Sequence, residues 1–306
     1  MLQAKGISPT ERFSQIRNLV LECERLDYHS VWLDDHLMYN DWPILESWTT
    51  LSALAALTSK IRLGTMANCI SHRNPALLAK AAATLDVVSG GRLELGIGAG
   101  IQEQEHLAYG FGFPPLSVRA ERLAEALEVI RHLWTQKRTN YQGKHYTLNE
   151  AACESKPLQK PYPPITVGGS SMLLIQKATA PYADRFDWGL LSVEVYKHKL
   201  AFLEKQCKSI GRDFAGIEKA CWPSGQVLIA RNPRELYEKI DQLKPANVSL
   251  EEFRNTTLAG IPEECTEHLQ VYKNLGATFF MLYFADFPAI DGLKLFSKEV
   301  ASRLSD

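Results

Sequence analysis

The sequence predicts an α/β fold: a single (β/α)8 TIM barrel spanning residues 1–306, with its first strand short or missing at the N-terminus. Three observations predict it. Strand-loop-helix units follow one another along the chain, and strands that alternate with helices in this way pair in parallel. Strands end abruptly in charge or glycine, as in Val31-Trp32-Leu33-Asp34-Asp35-His36, and parallel barrels place their sites at those ends. The third observation is the run from Thr84 to Gly100, around which the rest is organised. Gly90 and Gly91 can take the positive φ of a helix C-cap, so the chain turns at once from Val87-Val88 into the alternating strand Arg92-Leu93-Glu94-Leu95. Gly96, Gly98 and Gly100 then either leave the strand exit bare for a flat ligand or relieve crowding on an inward barrel face.

In chain order, Ser8-Pro9-Thr10-Glu11 starts a helix that continues through Phe13, Ile16, Leu19, Val20, Cys23 and Leu26 at helical spacing. Ser30 to His36 reads as a strand, 47–58 as a helix, and Ile61 to Ala67 as the next strand. Asn74-Pro75 caps a helix running to Leu85. Residues 101–117 break any period, and helix resumes from Val118 through Leu133. Residues 139–164 read as an insertion. Further strands are expected at 165–169, 187–191, 225–230 and 278–284. The intervening helices are expected at 195–210, from 232, at 250–258, at 262–275 and at 290–304. The strand count is one short of eight, and only Met1-Leu2-Gln3-Ala4 precede the first helix.

Bulk properties exclude several classes. The chain of 306 residues is 45% hydrophobic and carries a net charge of -1, which gives no general attraction to nucleic acid or an anionic membrane. Its six cysteines form no Cys-x-x-Cys pair, which argues against a disulfide framework and a zinc site and suits a cytoplasmic setting. Neither a signal peptide nor a spanning helix is expected. A Rossmann fingerprint fails because the third glycine comes one residue early and no helical period follows. Gly168-Gly169-Ser170 sits at a strand-to-helix turn whose amides can hold a phosphate, though a plain glycine turn reads equally well there.

The motifs Trp32-Leu33-Asp34-Asp35-His36, Trp48-Thr49-Thr50-Leu51, Ile61-Arg62-Leu63-Gly64-Thr65 and Asn74-Pro75-Ala76-Leu77-Leu78, with the run 84–100, resemble the bacterial luciferase-like monooxygenase superfamily. Pro164-Ile165-Thr166-Val167-Gly168-Gly169-Ser170, Tyr182-Ala183-Asp184 and Gly260-Ile261-Pro262-Glu263-Glu264 continue the resemblance, which is strongest to the branch using the deazaflavin coenzyme F420, with FMN-dependent relatives beside it. It implies a barrel, usually a homodimer, with the cofactor ring across the C-terminal strand ends. Asp35 and His36 match a catalytic pair near the reactive ring. Met66-Ala67 matches a bulge with a non-prolyl cis peptide, Ala99-Gly100 a ring-lining segment, and Gly168, Gly169 and Ser170 the phosphate turn. Some sugar-phosphate dehydrogenases of the F420 branch carry a glutamate directly after the ring-lining segment; here that position is Ile101.

The implied function is hydride transfer between F420 and a small organic substrate. The alternatives are an FMN-dependent monooxygenase that uses dioxygen and a partner flavin reductase, and a non-catalytic flavin-binding barrel. His36 is the expected acid-base group because it ends a strand, and Asp34 the structural neighbour, since successive strand residues face opposite ways. Trp42, Trp48, His72, Arg73 and Tyr109 read as pocket lining or as ordinary surface and core.

Overall fold

In the computed structural model, which describes residues 7–39, 43–189 and 191–304, parallel strands and helices alternate around one curled sheet. The strands are β1 (Ser30–Leu33), β2 (Arg62–Thr65), β3 (Asn68–Cys69), β4 (Leu93–Gly98), β5 (Thr139–Gln142), β6 (Thr147–Ala151), β7 (Ile165–Gly168), β8 (Arg185–Asp187), β9 (Glu218–Cys221), β10 (Gln226–Ile229), β11 (Thr257–Gly260) and β12 (Phe279–Phe280). The barrel wall is hydrogen-bonded in the order β1-β2-β4-β7-β8-β9-β12, with β3 beside β4. Each pair in it is parallel. The first-strand expectation at Met1 to Ala4 lies outside the described residues. Among those described, the rings of His29 and Trp32 on the β1 side meet Phe279 of β12 edge-on, at 5.3 and 6.2 Å between centroids.

The helices form where capping chemistry permits. Helix α1 (Pro9–Arg25) opens with Ser8 Oγ accepting from the Glu11 amide at 3.1 Å. Helix α2 (Ser47–Leu57) is capped by the Glu46 carboxylate, which takes the Trp48 and Thr49 amides. Helix α3 (Pro75–Ser89) starts under Asn74 and stops at Gly90, whose φ of +72° is the left-handed cap expected of it. Arg92 then donates to the carbonyls of Ala55 and Thr58, satisfying the end of α2 that would otherwise be orphaned. Among the described residues no helix is long and apolar enough to cross a membrane.

Several elements differ from the sequence expectation. The irregular stretch 101–117 contains a short helix, α4 (Glu103–Ala108), before α5 (Leu116–Thr135). The insertion 139–164 holds an antiparallel hairpin, β5–β6. The barrel strand expected at 225–230 is β10, which pairs with β11 in a small separate sheet and makes an isolated parallel bridge, Val227–Phe284, to the segment after β12. The wall strand is instead β9, and its polar residues hid it: Glu218 accepts from Arg185 Nε at 2.6 Å. The expected strand 187–191 is shifted back to Arg185–Asp187, and the expected helix 250–258 ends at Thr256 to release β11.

Strand β4 shows how the core is divided. Leu93, Leu95 and Ile97 are buried under the helices, while the alternate residues Glu94, Gly96 and Gly98 face the other strands inside the wall. Glu94, 1% exposed, is bonded by Arg62 of β2 and by Arg185 of β8 at 2.9 Å. Arg185 also lies 3.9 Å over the Phe279 ring. This network links the neighbouring strands β2 and β4 to β8, across β7, at the barrel's N-terminal end. Removing one member of a buried pair leaves uncompensated charge, so Glu94→Ala should cost about 3–5 kcal/mol in denaturant unfolding. A loss under about 1 kcal/mol would show that the barrel floor does not depend on these charges.

Candidate active site

At the opposite, C-terminal ends of the strands the inward glycines bring separate segments together. The Met66–Ala67 peptide is cis, as the resemblance implied. A Cβ on Gly168 would lie 3.2 Å from Ala67 Cβ, and one on Gly98 would lie 3.5 Å from Ala67 Cβ and 3.6 Å from the Gly168 carbonyl. Met66, Ala67, Gly98 and Gly168 therefore share one shallow floor. Ala99 and Gly100 continue from it, and Arg119 of α5 holds both of their carbonyls while packing 4.0 Å over Phe113.

His36 and Asp35 part company. Asp35, 5% exposed, accepts from Ser47 Oγ at 2.7 Å, from the Cys69 amide at 3.1 Å and from Arg73 Nη2 at 2.6 Å. It anchors β3 and the turn after it rather than orienting His36, which corrects the expected Asp-His pairing. The partner of His36 is Glu105 of α4, whose Oε2 lies 3.0 Å from Nδ1. The other Glu105 oxygen accepts the Leu37 and Met38 amides. Burial alone would raise the Glu105 carboxyl, but the bonds from His36 and those two amides outweigh it and hold it below the ordinary carboxylate range. Sequence reasoning missed Glu105 because residues 101–117 carry no apolar period. The only available signal was an acid at the start of a short loop helix.

Met38, Tyr39, Gln102, Gln104 and Glu105 line a groove beside this pair. Ile101 stands 82% exposed at its edge. Of the other residues singled out, Trp48 is buried and donates to Asn68 Oδ1 at 2.7 Å, Arg73 serves Asp35, and Tyr109 donates to the Leu37 carbonyl at 3.2 Å. His72 packs against His106. Trp42 lies outside the described residues.

The turn Gly168-Gly169-Ser170 leads into a helical run over 172–182, with Ser171 Oγ accepting the Leu174 amide. Gly169 has a φ of +106°, which a side chain would strain. The Gly169 amide donates to the Asp187 carbonyl at 3.1 Å, and Lys199 Nζ donates to the Ser170 carbonyl. Asp187 ends β8 beside this turn, and its Oδ1 is buried with no hydrogen-bond partner among the described residues.

Burial pushes the Asp187 carboxyl up to about 7. Its folded pKa thus lies above its unfolded value, so between about pH 4 and pH 7 the folded protein holds a proton that the unfolded chain releases. The contribution of Asp187 to stability therefore falls as pH rises through that window and levels off above it. Asp187→Asn should remove this slope: its melting temperature relative to the unaltered protein should be higher at pH 8 than at pH 4. A difference that does not change with pH would show that Asp187 is ionised in the folded state.

Residues 1–246 match the family model described as luciferase-like monooxygenase. An F420-dependent glucose-6-phosphate dehydrogenase of Segniliparus rotundus is 26% identical over 92% of this chain and 91% of the relative. Two solved structures superpose on it: an F420-dependent secondary alcohol dehydrogenase in complex with an F420-acetone adduct (TM-score 0.81, 21% identity, 97% of this chain and 95% of that one) and the coenzyme F420-dependent tetrahydromethanopterin reductase of Methanopyrus kandleri (TM-score 0.79, 20% identity, 97% of this chain and 96% of that one). At such identity these two show the fold, a TIM barrel. The chain belongs to the luciferase-like monooxygenase family.

Proposed function

We propose that this protein is an F420-dependent oxidoreductase that moves a hydride between F420 and a small organic substrate. The observation that carries the reading is the pairing of a floor nearly bare of side chains at Ala67, Gly98 and Gly168 with the His36–Glu105 pair at the same strand ends. The F420-dependent relatives favour the deazaflavin over FMN. Bound there, F420 would supply the hydride donor or acceptor.

Met66, Ala67, Ala99 and Gly100 would line the ring, and a planar group fits a floor on which a Cβ at Gly168 would already crowd Ala67. Gly168, Gly169 and Ser170 would take the phosphate, with the Lys199 ammonium adjoining through the Ser170 carbonyl. Glu105 fixes His36 through Nδ1, which makes Nε2 the atom that gives or takes the proton accompanying the hydride. Asp35 acts by holding β3 in place. The exposed, apolar Ile101 offers no acid where some sugar-phosphate dehydrogenases of this branch carry glutamate, which favours a substrate other than a sugar phosphate.

Titration of the purified protein with F420 and with FMN, read by absorbance, should show tighter binding of F420 and no oxygen uptake on turnover. Tighter FMN binding with oxygen uptake through a partner reductase would favour the monooxygenase reading instead. His36→Ala should lower kcat by about 10²–10⁴-fold with much less change in cofactor affinity. If it abolishes binding while single-turnover hydride transfer survives, His36 is a binding residue. Ser170→Asp sets a like charge against the phosphate and should weaken F420 binding at least about tenfold without lowering the melting temperature, since Ser170 is not in the packed core. Unchanged affinity would place the phosphate elsewhere.

A further inference from the structure

Three donors that the proposed chemistry does not use converge beside the Ala99-Gly100 segment. They are Cys69 at the end of β3, His72 in the turn that follows, and His106 of α4, and their ligating atoms all lie within 4.8 Å of one another. Cys69 Sγ is 3.4 Å from His106 Nε2. His106 Nδ1 donates to the Gln102 carbonyl at 2.7 Å, which keeps the proton on Nδ1 and turns the Nε2 lone pair toward the sulfur. A backbone carbonyl behind the far nitrogen is the arrangement that orients metal-ligating histidines.

The second observation is independent. Both ring nitrogens of His72 are buried with no hydrogen-bond partner among the described residues, although the ring lies in a crowded place, 4.5 Å from His106 and 4.9 Å from Phe111 between centroids. An imidazole whose two nitrogens are both out of reach of water and unsatisfied is costly, and a metal bond is one way to satisfy it. The surroundings are also shaped around the cluster. A Cβ on Gly100 would fall 2.6 Å from Cys69 Sγ and 2.9 Å from the His106 ring, so Gly100 leaves room for the sulfur and the imidazole to meet.

We propose that Cys69, His72 and His106 bind a zinc ion, with one thiolate, two imidazoles and a fourth position for water. One sulfur and two nitrogens are the donor set of zinc rather than of magnesium or calcium. A tetrahedral ion with bonds of about 2.3 Å to sulfur and about 2.0–2.1 Å to nitrogen needs a sulfur–nitrogen edge of roughly 3.5 Å, close to the separation already present. On binding, the zinc–sulfur bond replaces the Cys69 S–H bond, the proton leaves to solvent, and no electrons are exchanged. A search for Cys-x-x-Cys or clustered histidines passes over this set, because the ligands are a Cys-x-x-His after β2 and a lone histidine on α4. The ion would clamp the turn after β3 to α4, and it does not depend on which flavin the barrel takes.

The test uses the full chain, stripped with a chelator and titrated with zinc alone by calorimetry, then with cobalt(II) as a spectroscopic probe. We expect one ion per chain, a thiolate-to-cobalt charge-transfer band, and a melting temperature raised by zinc. Cys69→Ser should weaken zinc binding at least 100-fold and abolish the band, and His72→Asn, which removes a side chain without partners, should weaken it at least tenfold. Circular dichroism of the metal-free variants checks that both are folded. Absence of binding tighter than micromolar, or binding and a cobalt spectrum unchanged in folded Cys69→Ser and His72→Asn, overturns the proposal.

Discussion

The close approach of β2 to β4 at Gly96 is the contact on which the upper half of the barrel depends. A Cβ there would fall 1.9 Å from the Thr65 carbonyl oxygen, a separation no side chain can accept, so the two backbones meet at this depth only because Gly96 has none. The junction is then pinned from several directions. Thr65 Oγ1 and Asn68 Nδ2 both donate to the Gly96 carbonyl, at 3.1 and 2.7 Å, and Asn68 in turn accepts from Trp48 of α2. Held in this way, the chain leaving β2 carries Ala67 over Gly98 and Gly168 and makes the floor of the candidate site.

The same strand separates stability from chemistry along its length. At the lower end Glu94 is enclosed by Arg62 and Arg185, and the buried charge is matched within the wall. At the upper end Gly98 and Gly168 present bare backbone, and one Asp187 oxygen has no partner among the described residues. Matched charge at the lower end and bare backbone at the strand exits divide the barrel into a packing half and a binding half. The period of two along β4, with Glu94, Gly96 and Gly98 on one face, joins the two halves.

How much of this was legible follows from which signals are local. The cap at Ser8, the Asn74-Pro75 start and the Gly90 stop are written in adjacent residues, and α1 and α3 form where they indicate. Strands β1, β2, β4 and β7 are apolar runs and read directly. Strand β9 was invisible because Glu218 and Lys219 gain their partners only in three dimensions, while the apolar run Gln226–Ile229 attracted the assignment and belongs to a side sheet. The site divided in the same way. The glycine-rich turns and the cis bulge at Met66-Ala67 were legible through family motifs. Which carboxylate reaches His36 was not, since Asp35 is its sequence neighbour and Glu105 its spatial one.

The short helix α4 shows why that distinction matters. Six residues are too few to hold a helix by backbone propensity, so α4 exists through what its side chains grip. Neighbouring residues on a helix project about 100° apart, and the adjacent Glu105 and His106 use that divergence. Glu105 turns to His36 and to the Leu37 and Met38 amides, while His106 turns to Cys69, 3.4 Å away. Asp35 closes the circuit from the other side, since it holds the Cys69 amide and Arg73 on the turn that faces His106. Whatever fixes His106 therefore fixes the backbone from which Glu105 reaches the imidazole, and the position of His36 is set by a loop helix rather than by the strand that carries it.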